Sequence, residues 1–259
     1  MSAPRTPRVL AVGAHPDDVE FLCAGTLVLL HEAGWRVHLA TMSPGDLGSA
    51  ALDREAIATL RREEARRSAE MVKATCSCLE ARDFQILYGD ELLRRTTALV
   101  RSIDPDVVLT HSPVDYLADH EETSRLVRNA CFAAPVPLYA THGDERPTAR
   151  VAHLYYCDPI ELVDQFGMQV EPHFVVDVTS ALSMKELMLG CHSSQREWIR
   201  RQHGEDDYVA TMKRWGAERG RPHGFASAEG FRQHLGHGWP RSPKLQDALR
   251  PRVRTVGAA

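Results

Sequence analysis

The sequence predicts a doubly wound α/β protein, with a mostly parallel sheet, helices on both faces and a C-terminal elaboration. Three observations carry this. Apolar runs of strand length alternate with longer amphipathic runs of helix length through the first half of the chain. Breakers fall between the runs, as where Asp104-Pro105 closes one helix before the next strand. No internal repeat and no Gly/Ser linker divides the 259 residues, so one core is expected.

Arg8–Gly13 (RVLAVG) has the continuous apolar character of a strand buried on both faces. Val19–Gly34 follows as a largely buried helix, with Gly34 closing its C-terminus. Arg36–Met42 is the second strand, and a loop holding Gly45 and Gly48 leads to a long charged helix over 54–75. Cys78–Arg82 is a short third strand. Asp90–Ile103 sets Leu92, Leu99, Val100 and Ile103 on one helical face. Asp106–Thr110 is the fourth strand, and His120–Ala133 is a helix with a Leu126, Val127, Ala130 and Cys131 stripe. Right-handed crossovers between such units wind the sheet in both directions. Beyond this, 151–157 and 173–178 read as strands and 182–203 and 206–218 as helices. One domain is expected over 1–240, with 241–259 as a flexible tail.

Charged residues make up 25% of the chain and the net charge is -4, with no block of one sign, so a basic nucleic-acid footprint is absent. The longest apolar run, Phe21–Leu30, is about half the ~20 residues of a membrane span. The N-terminus lacks the apolar stretch of a signal peptide. These features point to a cytoplasmic protein acting on a small molecule, without nucleic-acid or membrane partners; a homo-oligomer is left open. The six cysteines form no C-x-x-C pair and read as reduced core residues.

The chemistry concentrates in Ala14-His15-Pro16-Asp17-Asp18-Val19-Glu20, where the first strand gives way to the first helix. That edge of an open α/β sheet is where ligands bind. Asp18 lies three residues after His15, so both can face one point at the first helical turn, and Asp17 then points elsewhere. His15 and Asp18 suit a divalent metal, leaving Asp17 free to take a proton from water. The fourth strand leads into His111-Ser112-Pro113-Val114-Asp115-Tyr116-Leu117-Ala118-Asp119-His120, where His120 opens a helix and supplies a third ligand. Two histidines and one aspartate leave a coordination position open, as in catalytic zinc sites. Iron or cobalt would tolerate the same set. Asp119 is placed to support an imidazole by hydrogen bonding.

Plainer explanations exist for each piece. Asp17, Asp18 and Glu20 would favour a helix N-terminus through its dipole alone. His111 reads as a strand-end residue near the site. The run RREEARR, which holds Arg61, has the pattern of a solvated helix face. Trp198, Trp215 and Trp239 read as packing residues.

Taken together, His15-Pro16-Asp17-Asp18, the Gly45-Asp46-Leu47-Gly48 loop, Arg61-x-x-Glu64-Ala65 and Asp115-Tyr116-x-x-Asp119-His120-Glu121 resemble the PIG-L/LmbE-like deacetylase family. The resemblance spans about Arg8 to Val127 and continues loosely in Gly190-Cys191-His192-Ser193-Ser194-Gln195. It implies a Rossmann-like fold and zinc-dependent removal of N-acetyl groups from glucosamine-containing molecules. His15, Asp18 and His120 would be zinc ligands, Asp17 the general base, and Arg61 a substrate-holding residue. Asp46, in a loop at a strand end, is a second candidate for substrate contact. Many relatives carry a histidine three residues before the last ligand, where it supports the oxyanion; here that place is Leu117. His192 is the candidate to replace it.

The expected activity is therefore hydrolysis of an N-acyl group, acetyl foremost, from a glucosamine-like or other acylated amine. The alternative is a non-catalytic metal- or ligand-binding protein on the same scaffold. Nucleotide binding has no visible means, because neither G-x-G-x-x-G after the first strand nor G-x-x-x-x-G-K occurs.

Overall fold

Strand β1 (Arg8–Gly13) lies between β2 (Arg36–Thr41) and β4 (Val107–Thr110), parallel to both. In a computed structural model that describes residues 5–203 and 208–257, these strands belong to an eight-stranded sheet. β3 (Thr75–Cys78) pairs outside β2, and β5 (His153–Cys157) pairs on the far side of β4, again in parallel. The sheet then turns antiparallel through β7 (Ala228–Gln233), β6 (Phe174–Asp177) and β8 (Val253–Thr255), in the order β3-β2-β1-β4-β5-β7-β6-β8.

Strand order reverses between β1 and β4, so a crevice opens above their carboxyl ends. Alternate side chains of β1 feed two cores. Val9 and Ala11 pack with Leu27 and Leu30 of α1 (Asp18–Glu32) and with Ala69 of α2 (Arg54–Met71). Leu10 and Val12 pack with Val100 of α3 (Asp90–Ile103) and Leu126 of α4 (Ala118–Ala133). Leu30 is fully buried, and its truncation to alanine would cost about 2–5 kcal/mol.

Three expectations shift. The third strand begins at Thr75 rather than Cys78, because α2 ends at Met71 and Lys73 reverses the chain with a left-handed φ of 53°. The helix expected over 182–203 divides into α5 (Leu182–Gly190) and α6 (Ser193–His203). The break is held by Glu64 of α2, which accepts hydrogen bonds from Ser193 Oγ (2.7 Å), the Ser194 amide (2.9 Å) and Ser194 Oγ (2.5 Å). The segment expected to be a flexible tail contains α8 (Lys244–Ala248) and β8, which extends the sheet. The remaining long helix, α7, spans Tyr208–Gly220. Among the described residues, no helix is long and apolar enough to cross a membrane.

Candidate active site

The turn after β1 is unusually close. A Cβ on Gly13 would meet Asp18 Cβ at 2.8 Å, so glycine lets the α1 N-terminus fold back on the strand end. Asp17 carries the strain, with φ 103°, a left-handed conformation that non-glycine residues adopt rarely and mostly at functional positions. The twist sends the two adjacent carboxylates in different directions.

Asp18 turns toward histidines. Its Oδ2 accepts the His15 amide at 2.7 Å and lies 3.6 Å from His15 Nδ1, while Oδ1 is 3.5 Å from His120 Nε2. Each imidazole is oriented from behind by another carboxylate. Asp119 Oδ2 is 3.1 Å from His15 Nε2 and also accepts the Phe84 amide at 2.7 Å. Asp115 Oδ1 is 3.0 Å from His120 Nδ1. With those nitrogens carrying protons, His15 Nδ1 and His120 Nε2 keep lone pairs facing Asp18. The set His15, Asp18 and His120 offers ligand atoms all within 4.8 Å of one another, which suits one divalent cation.

The electrostatics agree with a site that seeks positive charge. Burial opposes protonation of His15, yet Asp119 and Asp18 push its pKa up to about 10. Burial likewise opposes His120, and Asp18 and Asp115 still raise it. Burial would raise Asp18, but His120 and His111 hold it well below the usual carboxylate range.

Residues 10–131 match the family described as "PIG-L: GlcNAc-PI de-N-acetylase". The match runs from β1 through α4, the part of the chain that holds His15, Asp17, Asp18 and His120.

Beyond the matched residues, two relatives cover most of the chain. One is a 4-oxalmesaconate hydratase of Pseudomonas putida, 24% identical over 227 residues, covering 85% of this chain and 83% of that protein. The other is a probable N-acetyl-alpha-D-glucosaminyl L-malate deacetylase 2 of Bacillus cereus, 24% identical over 205 residues, covering 73% and 84%. Among solved structures, the N,N'-diacetylchitobiose deacetylase of Pyrococcus horikoshii shares the fold with a TM-score of 0.74 at 22% identity, covering 88% of this chain and 83% of that one.

Asp17 points away from Asp18 and into a different neighbourhood. Tyr208 Oη donates to its Oδ2 at 2.5 Å, and Arg61 Nη2 lies 3.7 Å from its Oδ1. Burial raises the Asp17 pKa above the ordinary value, with Arg61 opposing. A carboxylate drawn toward neutral pH is suited to exchange protons.

Arg61 is buried rather than on a solvated face. It donates to the Pro16 carbonyl at 2.8 Å and to the Gly45 carbonyl at 3.4 Å, clamping the turn that carries Asp17. The glycines of the 45–48 loop make room for it: a Cβ on Gly45 or Gly48 would lie 2.4 or 2.6 Å from Arg61 Nη1.

Two candidates sit elsewhere than expected. Asp46 is not among the residues that line the cavity; it accepts the Asp83 amide at 3.0 Å, with Arg54 3.6 Å off, and so braces the loop. His192 is buried behind the cavity wall, with Nε2 3.1 Å from Glu20 Oε1, and does not line the space beside Leu117. The residue flanking Leu117 in the cavity is Tyr116, whose ring meets His120 edge-on at 5.4 Å.

Sequence reasoning also undervalued His111. It is fully buried, accepts the Ala14 amide at 3.0 Å on Nε2, lies 3.0 Å from Asp18 Oδ2, and stacks on His120 at 4.0 Å. Burial, then His120, keeps its pKa below the ordinary value, with Asp18 opposing. His111, Asp115 and His120 form a second close donor group, but Asp115 occupies His120 from behind and makes this group a support for the first. Tyr208 had no sequence signal at all, because only the packing of α7 brings it to Asp17.

Proposed function

We propose that the chain is a divalent-metal-dependent amidase that removes an N-acyl group, acetyl foremost, from a glucosamine-like amine. The observation that carries this is the division between Asp18, gathered with His15 and His120, and Asp17, turned away by its left-handed backbone onto the same cavity. His15, Asp18 and His120 would hold the ion, with zinc favoured by two imidazoles and one carboxylate. Bound there, the ion would polarise the scissile carbonyl and lower the pKa of water.

The chain's own groups supply the rest. Asp17 takes the proton of the attacking water and returns it to the departing nitrogen. Tyr208 fixes one oxygen of Asp17, and Arg61 fixes the preceding Pro16 carbonyl and the Gly45 carbonyl of the neighbouring loop. Asp119 and Asp115 set the imidazole orientations. Tyr116, beside Leu117, is the donor available to a developing oxyanion, the role sequence reasoning gave to His192.

The similarity to a hydratase favours one second reading, addition of water across a carbon–carbon double bond by the same base. Incubating zinc-loaded protein with N-acetylglucosamine conjugates and with 2-enoic polycarboxylates separates the two. Acetate release that falls at least about 100-fold in Asp17→Asn supports the amidase. Loss of enoate absorbance without acetate release replaces it with the hydratase. A metal-replete protein that turns over neither is the non-catalytic alternative.

A further inference from the structure

The cavity that holds His15, Asp18 and His120 also has an aromatic wall. Phe21 of α1, Trp198 of α6, and Tyr208 and Trp215 of α7 line it. Phe21 meets Tyr208 edge-on with ring centroids 4.9 Å apart and lies 5.9 Å from Trp215. Through its hydroxyl on Asp17, Tyr208 joins this wall directly to the carboxylate. The wall is anchored as well as apolar, since the start of α6 is tied to Glu64 of the helix that supplies Arg61. The cavity measures about 750 Å3, within the range of about 300–1,000 Å3 that holds drug-sized ligands.

We infer that the amine-bearing part of the substrate carries a flat apolar group of aryl size, seated against Phe21, Trp198 and Trp215. This rests on the amidase proposal. To return a proton, Asp17 must face the scissile nitrogen, so whatever is attached to that nitrogen extends toward Tyr208 and the rings beside it. The acyl end then lies toward Leu117 and Tyr116. A bare sugar would leave these ring faces wet, whereas an aryl substituent removes apolar area from water on both partners and gains from ring–ring geometry. Trp198 and Trp215, read from sequence as packing residues, become specificity residues.

The test is calorimetric titration of the zinc-loaded protein with phenyl 2-amino-2-deoxy-β-D-glucoside and with its methyl counterpart. The phenyl amine should bind about tenfold more tightly. Trp198→Ala and Trp215→Ala should each cut that advantage to about threefold or less, with affinity for the methyl amine unchanged. Trp198 and Trp215 are only partly buried, and a thermal melt of each variant checks folding. Equal affinity for the two amines, no binding of either, or an advantage that survives both substitutions overturns the inference. Both ligands lack an acyl group, so binding is read without turnover. An enzyme that releases acetate yet shows no aryl preference sinks this inference and leaves the amidase proposal standing.

Discussion

The Tyr208 hydroxyl lies 2.5 Å from Asp17 Oδ2, joining helix α7 to the turn after β1 across 191 residues of sequence. The bond occupies one carboxylate oxygen and leaves the other, near Arg61, to face the cavity. A phenol donating to a charged group contributes about 1.5–3 kcal/mol in mutational series. Tyr208→Phe should therefore lower kcat by about 10- to 100-fold, with KM and bound metal little changed. Steady-state kinetics beside metal analysis checks this. An unchanged kcat would show that Tyr208 only packs.

Asp119 and Asp115 stand behind the two imidazoles, and such outer partners typically contribute 10–100-fold in metal affinity. Asp119→Asn keeps the shape but weakens the acceptor. It should lower zinc affinity by roughly 10- to 100-fold, measured by competition with a chromophoric chelator. Affinity equal to that of the parent would assign Asp119 to the Phe84 amide alone.

Away from the site, His38 gives a pH dependence of stability. Burial lowers its pKa from 6.5 to about 4, and its ring nitrogens meet Thr75 Oγ1 at 2.6 Å and Ser77 Oγ at 3.0 Å. Between those two values the unfolded chain binds the proton and the folded chain does not, so this contribution is complete above 6.5 and disappears as pH falls toward 4. His38→Gln should flatten the loss of stability across that window in chemical denaturation. Parallel acid profiles for the two proteins would contradict the assignment.

Much of the first half of the fold was legible because its signals are local. The apolar run of β1, the breaker Asp104-Pro105 and the stripe of α4 each specify their element without help from distant residues. The clustering of His15, Asp18 and His120 was legible for the same reason, since His15 and Asp18 share one turn and His120 lies in the first turn of one helix. β7 was not. Its sequence, AEGFRQ, buries Glu229 and Gln233, and reads as strand only when their partners are known. Glu229 accepts the Gly25 and Thr26 amides at 2.9 and 2.8 Å and the Lys185 ammonium at 2.6 Å. Asp46 and His192 were misplaced because loop and helix-break residues are aimed by tertiary contacts, here Asp83 and Glu20. The aromatic wall escaped because tryptophans in a helical segment look alike whether they face a core or a cavity.

The most direct measurement is zinc stoichiometry by elemental analysis of the parent chain, Asp17→Asn and Asp18→Asn, each loaded and then freed of excess metal. One ion per chain in the parent and in Asp17→Asn, with none retained by Asp18→Asn, is the predicted result. Equal zinc in both variants, or none in the parent, would contradict the separation of the two neighbouring carboxylates into ligand and base.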